Sequence, residues 1–104
     1  MEISKKDWLL LQERVGKWQE RYMEKLLQEY KALIDGEGAP SDRYHALQKR
    51  IQEDRMLSGV HVELSKRMVD HTLVMLLLER VITVEDLEGF SKPLVDAVRQ
   101  RARK

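Results

Sequence analysis

Cysteine is missing altogether from this sequence, so neither a disulfide framework nor a thiolate metal site can be built from it, and a reducing, cytoplasmic setting is the expectation. Turn formers are scarce as well, with five glycines and two prolines in 104 residues, too few for the many tight turns of an all-β fold. Long apolar runs are lacking: the longest, Leu73 to Leu78, is six residues, far short of the roughly 20 needed to cross a bilayer. The first residues, Met1 to Asp7, have no apolar stretch or small-residue cleavage site of a leader, so no membrane is expected. An excess of one charge is absent too. Nineteen basic residues against eighteen acidic ones leave a net charge of +1, which sets up no global field toward nucleic acid or anionic lipid.

What remains is 42% hydrophobic and 36% charged, dominated by Leu, Glu, Lys, Arg and Gln, the residues that lose least on entering a helix. The fold class expected is all-α: a small helical bundle of four to five helices with one long N-terminal helix, occupying residues 1–104 as a single domain. Capping signals set the boundaries. Ile3-Ser4-Lys5-Lys6-Asp7-Trp8 combines a capping box, Ser4 with Asp7, and a staple of Ile3 on Trp8. Ile82-Thr83-Val84-Glu85-Asp86-Leu87 repeats it, Phe90-Ser91-Lys92-Pro93-Leu94-Val95 adds a serine cap with proline in the first turn, and Pro40-Ser41-Asp42 marks a further start. Helices are therefore expected over about 5–34, 42–57, 65–81, 84–89 and 92–101, with Gly59 ending the second. Val60 to Leu64 alternates like a strand, but no second strand exists to pair with it, which favours helix or extended linker.

In the first helix Trp8, Leu11, Val15, Trp18, Tyr22, Leu26, Tyr30 and Leu33 lie three or four apart on one stripe, widened by Met23, Leu27 and Ile34. Thirty helical residues span roughly 45 Å, whereas a compact chain of this size has a radius of gyration near 13 Å. The helix must bend, near Gly16, or overhang its own core. Leu73-Val74-Met75-Leu76-Leu77-Leu78 poses a second problem, since six consecutive apolar residues point all round a helix. Both features predict a homodimer, with Trp8, Leu11, Trp18, Tyr22, Leu73, Leu76 and Leu77 in the shared core or interface.

Chemistry-bearing patterns are lacking. His45, His61 and His71 have no partner at the three- or four-residue spacing of a helical zinc site, so no metal is expected. No nucleophile has a base at recognisable spacing, and Gly36-Glu37-Gly38 lacks the rest of a phosphate loop, so no cofactor is expected and the chain reads as no enzyme. The acidic group Glu85, Asp86 and Glu88 suits a helix start. Charge is uneven along the chain: residues 92–104 carry five basic side chains and one acidic one. Arg99, Arg101, Arg103 and Lys104 thus form a basic tip able to touch phosphate, although the segment before it is too short for a DNA-reading helix-turn-helix.

The motifs Ile3-Ser4-x-x-Asp7-Trp8, Trp18-Gln19-Glu20-x-Tyr22-Met23, Ser41-Asp42, Gly59-Val60-x-x-Glu63-Leu64 and Val81-Ile82-Thr83-x-Glu85-Asp86-Leu87-x-x-Phe90-Ser91 together resemble a family of small uncharacterised helical proteins from gut-type bacteria. The resemblance covers nearly the whole chain and implies a fold, but its residues are caps and core positions and bring no site. Some members bear a multidrug-transporter label, which no segment of this chain is long enough to support. The function expected is a non-enzymatic protein–protein interaction or regulatory module acting as a helical homo-oligomer, with a nucleic-acid-associated accessory role through the basic tip as the alternative.

Overall fold

The structure, a computed structural model, describes residues 1–103. It is all-helical: α1 spans Lys5–Ile34, α2 Pro40–Asp54, α3 Val69–Leu78 and α4 Lys92–Ala102. Two 3₁₀ turns, Lys66–Met68 and Val84–Leu87, join them, and no strand occurs among the described residues.

α1 begins where its cap predicts, with Ser4 Oγ accepting the Asp7 N–H at 3.1 Å. The reciprocal half of that box does not form. Asp7 is buried, and its carboxylate instead accepts the backbone N–H of Ser91 at 2.8 Å and the Ser91 hydroxyl at 2.5 Å. The hydroxyl of Ser91 is therefore turned onto α1, and its side chain makes no cap bond to α4. At Thr83 the box is real, with the Thr83 N–H donated to Asp86 Oδ2 at 2.8 Å. It starts only a four-residue turn in place of the helix expected over 84–89, because Glu88 is extended and Gly89 sits at φ 96°.

Three other boundaries move. α2 starts at Pro40, whose fixed φ suits the first helical position, and ends at Asp54, short of Leu57. The following residues tighten into turns, Leu57 N–H to Asp54 O at 3.0 Å and His61 N–H to Leu57 O at 2.9 Å. Gly59 does not cap the helix; it lets the backbone pass Tyr22 and Val81, where a Cβ would lie 2.4 Å from Tyr22 Cδ2. Residues 61–65 are an extended linker, with Val62 packed against the core. α3 is shorter than the 65–81 expected. It stops because Arg80 adopts φ 61° and the Val81 N–H closes back on Leu76 O at 2.9 Å, a left-handed cap that usually carries glycine and here has no glycine to announce it.

The chain divides into a head and an arm. In the head, Leu11, Val15 and Trp18 of α1 pack with Val69, Leu73, Val74 and Leu76 of α3, Val81, Ile82, Leu87 and Phe90 of the connection, and Leu94 and Val98 of α4. Arg14 reinforces it by lying over the Phe90 ring, 5.5 Å from its centroid, while donating to the carbonyls of Asp86 and Glu88. Beyond Tyr22, α1 continues as one helix with α2 and the turns that follow it alongside. It does not need to bend: the overhang gives a molecule 52 × 26 × 20 Å with a radius of gyration of 16.4 Å, against about 13 Å for a compact chain of this length.

The six-residue apolar run of α3 does not require a second chain. Leu73, Val74 and Leu76 are buried in the head, Met75 and Leu77 are half-buried, and only Leu78, 49% exposed, faces outward. α1, α4 and the 81–90 connection together surround the short helix, so its all-round hydrophobicity is met within one head.

Candidate interaction surface

The residues expected at a core or interface separate cleanly. Leu11, Trp18, Leu73 and Leu76 are buried in the head, and Trp8, Tyr22 and Leu77 pack against it half-covered. The exposed apolar surface lies elsewhere, along the arm. α1 uses Leu26 and Leu33 toward α2, and one residue further round the helix places Met23, Leu27, Tyr30 and Ile34 on the next face. From α2, Tyr44, Leu47 and Ile51 point to the same side. Met23, Leu27, Ile34, Tyr44 and Ile51 are between 39% and 67% exposed.

Three clefts run into one another along this face. The first, about 250 Å³, is lined by Met23, Leu26, Leu27, Tyr30, Ile51 and Arg55 among others. The second shares Ile51 and Arg55 with it and adds Tyr44 and Leu47, and the third carries the strip on through Tyr44 and Leu47 to Ile34 at the tip. The spacing has a meaning. Positions 23, 27, 30 and 34 advance by four, three and four residues, and 44, 47 and 51 by three and four, the rhythm of a left-handed bundle seam.

The arm is held by polar contacts at the edge of that face, with Tyr30 and Asp54 themselves lining the first cleft. Tyr30 donates to Asp54 Oδ2 at 2.6 Å, Arg50 Nε reaches the same oxygen at 2.8 Å, and Arg50 also meets Glu29 at 3.2 Å. The Arg50 guanidinium lies 5.7 Å from the centroid of the Tyr30 ring. Burial, and then the hydrogen bond and charge of Asp54, push the Tyr30 phenol up to about 12. Tyr22 is raised for the same first reason, with Asp54 and Glu79 adding to it. At the tip Arg43 donates to Ile34 O at 2.6 Å and to Gly38 O at 3.1 Å, closing the loop between the helices. These bonds lock the register of the arm and leave its apolar face uncovered.

The basic tip is partly neutralised. Arg101 pairs with Asp70 of α3 at 2.9 Å, and Lys92 with Asp96 at 2.6 Å. Arg99 and Arg103 are exposed, and Lys104 lies outside the described residues. A wider cleft of about 620 Å³ is lined by Lys5, Lys6, Leu9, Leu10, Glu13, Arg14 and Gly89, and Arg14 is already bound to the carbonyls of Asp86 and Glu88 and lies over the Phe90 ring. Among the described residues no helix is long and apolar enough to cross a membrane. No family model, curated protein or solved structure matches this chain.

The sequence names the α1 members of the strip, Met23, Leu27, Tyr30 and Ile34, yet reads that helix as one stripe; only the folded structure shows Leu26 buried while Met23, Leu27 and Ile34 stay exposed.

Proposed function

We propose that this protein is a non-enzymatic interaction module whose working surface is the open face of the α1–α2 arm. The observation that carries this reading is the run of five exposed large apolar side chains along one side of a two-helix layer. Contiguous apolar patches of that kind are uncommon on chains that work alone and mark contact sites with other proteins. The polar bonds beside and within the face add a reason: they join α1 to α2 and hold the strip in register before anything docks, which lowers the ordering cost of association. The head then serves as the folded base from which the arm projects.

A photoreactive phenylalanine analogue at Leu27 tests this in cells that produce the protein. Discrete covalent adducts to protein are expected from Leu27 and not from Lys25, which is 200° away round α1. Equal labelling from both positions, or none from either, would overturn the reading.

A further inference from the structure

We infer that residues 61–67, between the arm and α3, are a processing site at which an endoprotease with an acidic pocket for a basic side chain cuts after Lys66 or Arg67. The product is a head made of two chains. The site lies off the apolar face of the arm and is independent of it.

Proteases take their substrates as extended strands and hydrogen-bond to the main chain, so a folded chain is cut where consecutive peptide groups are exposed and unpaired. Residues 61–67 meet both conditions. Ser65 is extended, at φ -140° and ψ 130°, and every residue from His61 to Arg67 except Val62 is exposed. The His61 N–H is donated to Leu57 O at 2.9 Å, and the Ser65 carbonyl accepts the Met68 N–H at 3.0 Å; between these two bonds the linker makes no backbone hydrogen bond. Little main-chain bonding is therefore lost on entering a cleft. Lys66 and Arg67 follow directly, and among the described residues neither takes part in an ion pair.

The other connections lack this combination. The tip loop, residues 35–39, holds no basic residue. Arg55 sits where turns are bonded back to Ile51 O and Asp54 O, and Arg80 where they are bonded back to Leu77 O and Leu76 O. Lys92 is followed by Pro93 at the start of α4. At Lys66 or Arg67, hydrolysis adds one water: its oxygen joins the carbonyl carbon, the C–N bond breaks, and the leaving nitrogen takes the proton. α1 and α2 then belong to one chain, α3 and α4 to the other, and no core residue is lost. Leu11, Val15 and Trp18 stay in one cluster with Leu73, Leu76 and Leu94, while Asp7 with Ser91 and Arg21 with Asp86 bridge the two chains. Folding of the head thereby becomes a two-chain equilibrium.

Brief digestion of the folded chain with trypsin, read by fragment mass, tests the site. The first cut between residues 14 and 99 is expected after Lys66 or Arg67. Lys66→Gln combined with Arg67→Gln alters two exposed side chains and is expected to keep the melting temperature. It should slow that first cut roughly tenfold or more, since each remaining basic residue in this range must first open locally. The nicked protein is expected to elute from size exclusion with the uncut chain, and its melting temperature, unlike that of the uncut chain, to rise with protein concentration. A first cut in this range after any other basic residue, or an undiminished rate in the double variant, would overturn the site. Separation of the two pieces without denaturant would overturn the two-chain head.

Discussion

The carboxylate of Asp7, in the first turn of α1, accepts both the backbone N–H and the hydroxyl of Ser91, at the head of α4 and 84 positions further along the chain. With Asp7 2% exposed, this pair joins two helix starts inside the head. Replacing Asp7 by Ala leaves the Ser91 N–H without its acceptor and is expected to cost about 1–3 kcal/mol. Asp7→Asn keeps one acceptor oxygen and should lose less. Urea unfolding of the two variants beside the wild type checks the order, and equal stability of all three would show that the pair contributes nothing net.

Two glycines are expected to respond in opposite directions. A Cβ at Gly59 meets Tyr22 Cδ2 at 2.4 Å and Val81 Cγ2 at 2.7 Å, so Gly59→Ala overpacks a joint between head and arm and should destabilise by about 1–3 kcal/mol. Gly16 lies in the interior of α1 with nothing within 4 Å of such a Cβ. Gly16→Ala should stabilise by about 0.5–1 kcal/mol through lower chain entropy in the unfolded state. Thermal melts of both give the signs directly.

Arg80 holds a left-handed conformation at φ 61°, which costs an L-residue about 1–2 kcal/mol. Arg80→Gly removes that strain and adds freedom to the unfolded chain, so a net gain of about 0.5–1 kcal/mol is expected. A loss of stability on this substitution would mean that the arginine side chain makes up for its own backbone.

The limits of sequence reading fall at definite residues. Every helix start but that of α3 lies within about two residues of its capping signal, because Ser4, Thr83 and Pro93 act locally and local rules suffice. The end of α3 was hidden, since its cap falls on an arginine and nothing in the side chain selects a left-handed backbone. The six-residue run was misread for a different reason. Periodicity states that a helix is apolar all round but not how many neighbours reach it, and here a ten-residue helix is short enough for α1, α4 and one connecting loop to surround it. Asp7 illustrates a third limit: a box residue three positions from its cap finds a stronger claim from a distant N–H once the chain is folded. For the arm, composition supplied the members and only tertiary packing revealed which of them stay bare.

Acid and alkali should act at different ends of the molecule. Burial works to raise the Asp86 carboxyl, but the hydrogen bonds and charge of Arg21 and the bonds from Thr83 outweigh it and hold the group below its ordinary value of 3.8. Its contribution to the head is thus present above that ordinary value and lost as pH falls through the lower folded one. Tyr30 has the reverse sign. Raised from 10.0 to about 12, its contribution is complete below pH 10 and disappears as pH rises through about 12. Following phenolate absorbance with pH should show a late-titrating component from the raised Tyr22 and Tyr30, and Tyr30→Phe should remove part of it; an unchanged curve would place the high value elsewhere.

No residue of the buried head cluster lies beyond Trp18 on α1, and the junction with the arm is made by Tyr22 and Gly59, by Arg21 bonded to Asp86 and Val81 O, and by the Ser58 N–H donated to Glu79. The length of the projection is therefore decoupled from the stability of its base. Deleting seven residues from the far half of α1 and seven from α2 would keep the same faces aligned and leave the anchoring cluster unaltered, so the reach of this molecule is a dimension that evolution or an engineer can reset in whole heptads.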